Sequence, residues 1–552
     1  ITMDRNTENR YGIVDEITKP RSTYNSEFTH KTSFNNGELI PFYINMDIIP
    51  GTTIKNRTSF VLRMTTPLNP AMDNLYADTY WFRCSKFWYW EHWRAMMGEN
   101  NYGAWAQTIE YTEPKVSLKT TNYTYGPHDL ANYIGVRQGT GNLEYSKIAI
   151  NAYIDIWNQW FRDQNLQAPI QFDTTDANLT ADNTINTGFG ILPVQKFHDY
   201  FTSCLPEPQK GAPITMPLGT SAPVYTGADN TNLPTTANAL RWKPAGTYTL
   251  PTSNNIDLYA STDSNGIAFT RTGPAGFSPG AGTAPVQPSN LYTDLTQATA
   301  ASINALRLAF ATQRILERDS MCGTRYREIL RAHFGATPAD ESLMTPEYLG
   351  GHRIPINIET VLQNSSTDST SPLGYTGATS ITLDVNEDFT KTFMKDDILI
   401  GLICVRCDHT YQQGLPRQLT RDRKLDRYWP ELAHIGNQPV YNEEIFATGT
   451  STDKQVFGYK EAWQEYLYKN NRISGELNSD YAQSLDVWHY GDDYATLPVL
   501  SDNWIREPQE YLDRTLAIAS TSQNQFIADF LVEQIVSAPI PIHRVPGLID
   551  HY

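Results

Sequence analysis

The sequence predicts an all-β framework, a sandwich or a barrel, with helices inserted into it. Three observations predict it. Apolar residues recur at every second position in Ile40, Phe42, Ile44, Met46 and Ile48, which puts five side chains on one face of a strand. Phe60, Leu62 and Met64 repeat the pattern with Arg63 and Thr65 on the other face, and an aromatic-rich strand follows at 75–84. Pro50-Gly51, Pro67 and Pro70 mark the turns between them. The β signal then returns late in the chain. Ile354, Ile356 and Ile358 alternate with Asn357 and Glu359, residues 398–405 are continuously apolar as in a strand buried on both faces, and 530–536 form a last strand stopped by Pro539 and Pro541.

Between these runs the period changes. Residues 86–97 carry Phe87, Trp88, Trp90, Trp93 and Met97 before Gly98 and read as a helix. Ala149, Tyr153, Ile156 and Trp160 predict a helix over about 146–163. Ile303, Leu306 and Phe310 predict another over 294–320, with Gly323 past its end, and 324–333 a fourth, stopped by Gly335. Residues 205–290 differ from the rest. They hold 12 prolines, 9 glycines and 13 threonines but only 8 charged residues. Such density of turn residues excludes a helix, and the scattered aromatics exclude a simple solvated linker. The stretch reads as a large surface excursion of loops and short strands. A smaller polar loop is expected at 364–380.

Composition narrows the function. The 552 residues carry 43 Lys and Arg against 60 Asp and Glu, a net charge of −17, which argues against a chain that coats nucleic acid unaided while leaving room for one local basic face. The longest apolar run has eight residues, against about 20 for a membrane helix, and no membrane insertion is expected. The stretch ITMDRNTENR has no apolar segment, so no secretory signal is expected. Five cysteines make no disulfide framework and fit a reducing compartment.

No catalytic constellation, metal site or cofactor motif is expected. Cys404-x-x-Cys407 has no second pair, and positions three apart on a strand face opposite ways. His409 follows it, and Glu91-His92 sits in the tryptophan-rich segment, where a structural role is expected. Asp173, Asp176 and Asp182 lack calcium-loop spacing, and Asp492-Asp493 reads as an exposed pair. One cluster stands above background: Arg417, Arg421, Arg423, Lys424 and Arg427, followed by Tyr428 and Trp429. Cations beside aromatics hold single-stranded nucleic acid, while the interleaved Asp422 and Asp426 fit an ion-paired subunit boundary. Trp81, Trp88, Trp90 and Trp93 suggest core or interface, with sugar binding as the alternative.

Several long, irregular blocks resemble gokushovirus major capsid proteins, of the family Microviridae. They are 26–82 (beginning SEFTHKTSF), WEHWRAMMGEN (90–100), IWNQWFRDQNLQ (156–167), FHDYFTSCLPEPQKG (197–211), ILERDSMCGTRYREILRAHFG (315–335), PEYLGG (346–351) and YWPELAHIG (428–436). Asp422 and Asp426 depart from the more basic pattern usual in that family. The resemblance implies an eight-stranded antiparallel viral jelly roll with long inserted loops. Its strands would lie near 38–48, 57–65, 75–84, 194–202, 354–362, 380–388, 397–409 and 529–537. The organisation it implies is an arm (1–25), a first part of the jelly roll with helical insertions (26–204), a threefold protrusion (205–292), helices and later strands (293–410), a long insertion with the basic cluster (411–525), and a last strand with a tail (526–552). It implies a non-enzymatic T=1 shell around circular single-stranded DNA, assembled in the bacterial cytoplasm. The implied partners are further copies of the chain, a small basic DNA-binding protein, a pilot protein and a host receptor. Val224, Tyr225, Leu240, Trp242, Tyr248, Phe269 and Phe277 are the expected contacts between protrusions. A carbohydrate-binding or carbohydrate-active β-sandwich is the alternative.

Overall fold

The computed structural model describes residues 20–100, 109–118, 126–138, 143–181 and 190–214, six short strands between 224 and 293, and residues 303–365, 367–369 and 372–541. The chain divides into two units, one of 1–210 with 318–552 and one of Gly211–Glu317.

The first unit is built on eight strands: β1 (Ser22–Phe34), β2 (Ile40–Ile48), β3 (Thr52–Met64), β4 (Leu75–Ser85), β5 (Glu347–Gly350), β6 (Thr382–Phe393), β7 (Asp397–Cys407) and β8 (Phe526–Ala538). They form two antiparallel sheets, in the orders β1-β8-β3-β6 and β5-β4-β7-β2. The inner faces meet in one core that includes Phe42, Phe60, Trp81, Phe389 and Phe530. The result is a sandwich whose burial alternates along β3 and β8 as period two demands.

A third layer covers the second sheet. Helix α1 (Lys147–Ile156) starts where the Ser146 side chain accepts the Ile148 N–H, and all ten of its residues are buried. With Trp90, Trp93 and Trp157 it packs on Phe82, Cys84, Ile398, Ile400 and Cys404 of β4 and β7. Strand β7 is therefore buried throughout, which explains its unbroken apolar run. Helices α2 (Ile303–Cys322) and α3 (Tyr326–Phe334) lie at the predicted places. Gly335 ends α3 at φ +69°, in the left-handed region that suits glycine.

Several expectations need correction. The five apolar residues of β2 do not share one face. Two register shifts against β7 flip the parity, sending Ile40, Phe42 and Ile48 to the inner core and Ile44 and Met46 to the helical side. Residues 22–25 belong to β1, not to an arm, and that edge strand is largely polar, with Tyr24 and Phe28 exposed and only Phe34 fully buried. The tryptophan-rich segment is one 3₁₀ turn and one α turn, not a continuous helix. Trp90 Nε1 donates to Asp176 at 2.7 Å and the Glu91 N–H to Thr174 O, which pulls the chain out of helical register. Residues 194–202 are not a strand. Asp199 Oδ1 accepts the N–H groups of Phe201 and Thr202 and closes a turn instead. The run 354–362 is split: Arg353–Pro355 pairs with β4, while Ile358–Leu362 pairs with Thr376–Ser380, so the expected loop ends in a strand.

The second unit begins at Gly211 and extends to Glu317, rather than spanning 205–292. It contains an antiparallel sheet of Gly266–Thr272, Ile256–Asp263, Leu240–Pro244 and Val286–Pro288, in that order, and a pair of Val224–Thr226 with Leu291–Thr293.

Candidate assembly surface

A buried charge network anchors the long connection between β7 and β8. His409 lies just past β7, with Nδ1 2.8 Å from Asp492 and Nε2 2.9 Å from Glu507. Lys196 Nζ stands 3.2 Å from Asp492 and 4.7 Å from the Trp504 ring. Burial works against the charged imidazole, but Cys407, Asp492 and Glu507 raise its pKa well above the ordinary value. Burial would also raise Asp492, yet Lys196 and His409 hold it well below the carboxylate range. Two cations thus balance two carboxylates, which buried charges require. The sequence reading of Asp492-Asp493 as an exposed pair fails for Asp492, which is 4% exposed. A side-chain charge partner hundreds of residues away leaves no local signal.

The remaining candidate ligands have structural work. Cys404 enters the helical core and Cys407 the inner core, on opposite faces of β7. Cys407, His409 and Glu507 lie close enough to share an ion, but both ring nitrogens of His409 already bond carboxylates, and burial pushes the Cys407 thiol up to about 12. Asp319, Cys322 and His333 form a second close group, in which His333 Nε2 lies 2.8 Å from Asp319. Asp173 holds the buried Lys147 Nζ at 3.2 Å, and Asp176 holds Trp90 and His92. Asp182 lies outside the described residues.

The basic cluster divides in two. Arg421 is folded inward, 2.6 Å from Glu465 and 4.4 Å from the Tyr466 ring. Arg417 lies 3.6 Å from Glu444 and donates to Pro439 O at 2.9 Å. Arg423, Lys424 and Arg427 point outward from an exposed loop, with Lys424 4.8 Å from the Trp429 ring. Asp426 spends one carboxylate oxygen on the Arg423 N–H at 2.7 Å. Leu419, Leu425, Tyr428 and Trp429 are exposed on the same stretch, which mixes cations and apolar surface as interfaces do. Sequence proximity therefore groups residues that the fold separates. The inward partners Glu444 and Glu465 had no signal in the sequence.

Of the tryptophans, Trp81, Trp90 and Trp93 are buried and Trp88 is partly buried against the helical core. Trp81 Nε1 donates to Thr58 at 3.2 Å between the sheets. None of the three buried rings offers a face to a sugar. Val224 and Tyr225 fall in one short strand of the second unit, Leu240 and Trp242 in another, and Phe269 in a third. Tyr248 and Phe277 lie outside the described residues.

The described fold, a layered antiparallel β-sandwich with long inserted segments, is an architecture that recurs among the shell proteins of viruses. The chain belongs to the phage capsid family whose model, described as "Capsid protein (F protein)", matches residues 14–548. It is 37% identical over 540 residues to capsid protein VP1 of Spiroplasma virus 4, with 94% of each chain covered. It is 32% identical to capsid protein VP1 of Bdellovibrio phage phiMH2K (99% of each chain) and 31% to that of Chlamydia phage 1 (98% of each). It is a Microviridae-type capsid protein and a component of the virion. No helix among the described residues is long and apolar enough to cross a membrane.

Proposed function

We propose that copies of this chain build a T=1 icosahedral shell around a circular single-stranded DNA genome, without catalysis. One observation carries the reading: the strand orders β1-β8-β3-β6 and β5-β4-β7-β2. Numbered along the chain, they interleave as in the two Greek keys of a jelly roll, the architecture of many viral shells. The net charge of −17 per copy supports the need for a separate basic protein to neutralise DNA phosphates. A pilot protein and a bacterial receptor complete the partner set, and assembly takes place in the host cytoplasm. The unit Gly211–Glu317 is the surface protrusion that meets the host. The low charge of residues 205–290, most of which lie in this unit, allows copies to meet at a symmetry axis without repulsion. The exposed half of the basic cluster sits at a boundary between subunits, where charge sets register more than affinity.

Electron microscopy of the purified chain tests the shell. Closed particles of uniform size support it. Monomers or small oligomers under all assembly conditions refute it.

A further inference from the structure

Helix α3 carries an apolar stripe that is exposed at both ends and half-buried at Leu330 among the described residues. Tyr326, Leu330 and Phe334 recur at intervals of four, so they share one face. Tyr326 is 63% and Phe334 77% exposed, and no residue of the helix is buried. A helix of nine residues is marginal by itself and depends on packing of its apolar face. Beside it opens a cavity of about 520 Å³ lined by Trp160, Tyr326, Arg327, Arg331 and Leu343, among others. Trp160 is held by its Nε1 bond to Pro346 O at 3.1 Å, with the Arg327 guanidinium 5.9 Å from its ring. Past Leu343, Met344 is 62% exposed at φ +54°, a left-handed conformation that a methionine rarely adopts. Tryptophan, tyrosine and arginine around a hollow are the residues that dominate binding energy at protein interfaces. Arg325 and Arg327 pair with Glu328 and Asp340, whereas the exposed Arg331 forms no ion pair among the described residues.

One surface of the same unit has the opposite character. Residues 475–488 contain Glu476, Asp480 and Asp486 and no Lys, Arg or His. Glu476 and Asp480 form no ion pair among the described residues, while Asp486 lies within electrostatic reach of Arg514. Leu477, Tyr481 and Leu485 are 40%, 47% and 42% exposed on this loop. The loop is tied by hydrogen bonds: the Leu485 N–H donates to Glu476 O at 2.9 Å, and Ser479 and Gln412 exchange bonds of 2.8 and 3.0 Å. It is an exposed loop that carries both apolar and acidic side chains.

We infer that the α3 patch of one copy receives the 475–488 loop of a neighbouring copy, a partner of the same chain chosen by charge and by apolar fit. The inference rests on the reading of the chain as a shell builder. Two different patches meeting make a head-to-tail contact, which closes into rings under a suitable rotation.

The test compares the wild-type chain with Arg331→Glu/Phe334→Ser and, on the opposite surface, with Asp480→Lys/Leu485→Ser. All substituted side chains are exposed, and circular dichroism with thermal melting checks that free subunits keep their fold. Each double variant is expected to lower particle yield by about tenfold or more. The charge swap Arg331→Glu with Asp480→Lys is expected to recover yield lost by Arg331→Glu alone. Folded variants that assemble like wild type would overturn the inference while leaving the shell reading intact. So would variants that form normal particles but lose DNA, which would make the patch a nucleic-acid contact. A wild-type chain that never forms particles would instead overturn the shell reading, and this inference with it.

Discussion

Phe42 of β2 and Phe530 of β8 stack across the sandwich, with ring centroids 4.5 Å apart and planes 11° from parallel. The stack exists because β7 has glycine at position 401. A Cβ there would come within 2.8 Å of the Phe42 ring and 3.1 Å of Trp81. Gly401→Val should therefore overpack the core and cost about 1–3 kcal/mol or more. Urea unfolding of the free subunit measures it. An unchanged midpoint would show that Phe42 can move without loss.

Asp155 offers a pH signature. Burial pushes its carboxyl up to about 6, against 3.8 for a free side chain, although bonds from Tyr89 and Gln159 pull the other way. Between those values the folded chain holds a proton that the unfolded chain has lost. This group therefore favours folding most below pH 4, and that advantage is lost as pH rises through 6. Asp155→Asn should raise subunit stability at pH 7.5 by up to about 2–3 kcal/mol and leave it nearly unchanged at pH 4. Equal effects at both pH values would contradict the assignment.

The His409 network predicts the opposite slope. Asp492 stays ionised in the folded chain far below the unfolded value of 3.8, so its contribution is present above that value and fades as pH falls below it. Asp492→Asn leaves Lys196 and His409 short of a counter-charge and should cost about 3–5 kcal/mol at pH 7. The deficit relative to wild type should shrink below pH 4. Denaturation curves at two pH values decide it.

The divided basic cluster separates folding from assembly. Arg421→Glu would set three carboxylates against one another near Glu465 and Glu444, and should yield an unstable subunit. Arg423→Glu with Arg427→Glu should melt like wild type but assemble poorly. Particles that form normally from this second variant but exclude DNA would support a genome-binding role for the loop.

Replacing residues 220–282 with a short Gly/Ser linker should leave the sandwich folded, since no framework strand lies there. Such particles should assemble yet fail to adsorb to the host. An unfolded subunit, or normal adsorption, would count against the protrusion assignment.

The framework was largely legible where burial imposed a period. Residues 398–405 announced a strand covered on both sides, and Gly335 announced the end of α3. Legibility failed where burial was slight or side chains competed with the backbone. Strand β1 carries only three widely spaced aromatics, Tyr24, Phe28 and Phe34, among polar residues, too sparse an alternation to read as a strand, and Asp199 turned an apparent strand into a capped turn. At the site, the cluster of five cations was visible. Its division was not, because Glu444 and Glu465 approach from other loops. Likewise, Asp492 meets His409 across 83 positions and Lys196 across 296.

The order β1-β8-β3 has a consequence for synthesis. The strand that fills the gap between β1 and β3 is the last of the eight to leave the ribosome. Residues 22–34 and 52–64 must wait for 526–538, at about 5–20 residues per second, before either ladder can form. For on the order of a minute the nascent chain presents two open strand edges, a state that needs protection from aggregation. A chain released before residue 526 never completes the sheet. Incorporation into a shell therefore tests each copy for translation through β8, with no dedicated inspection step.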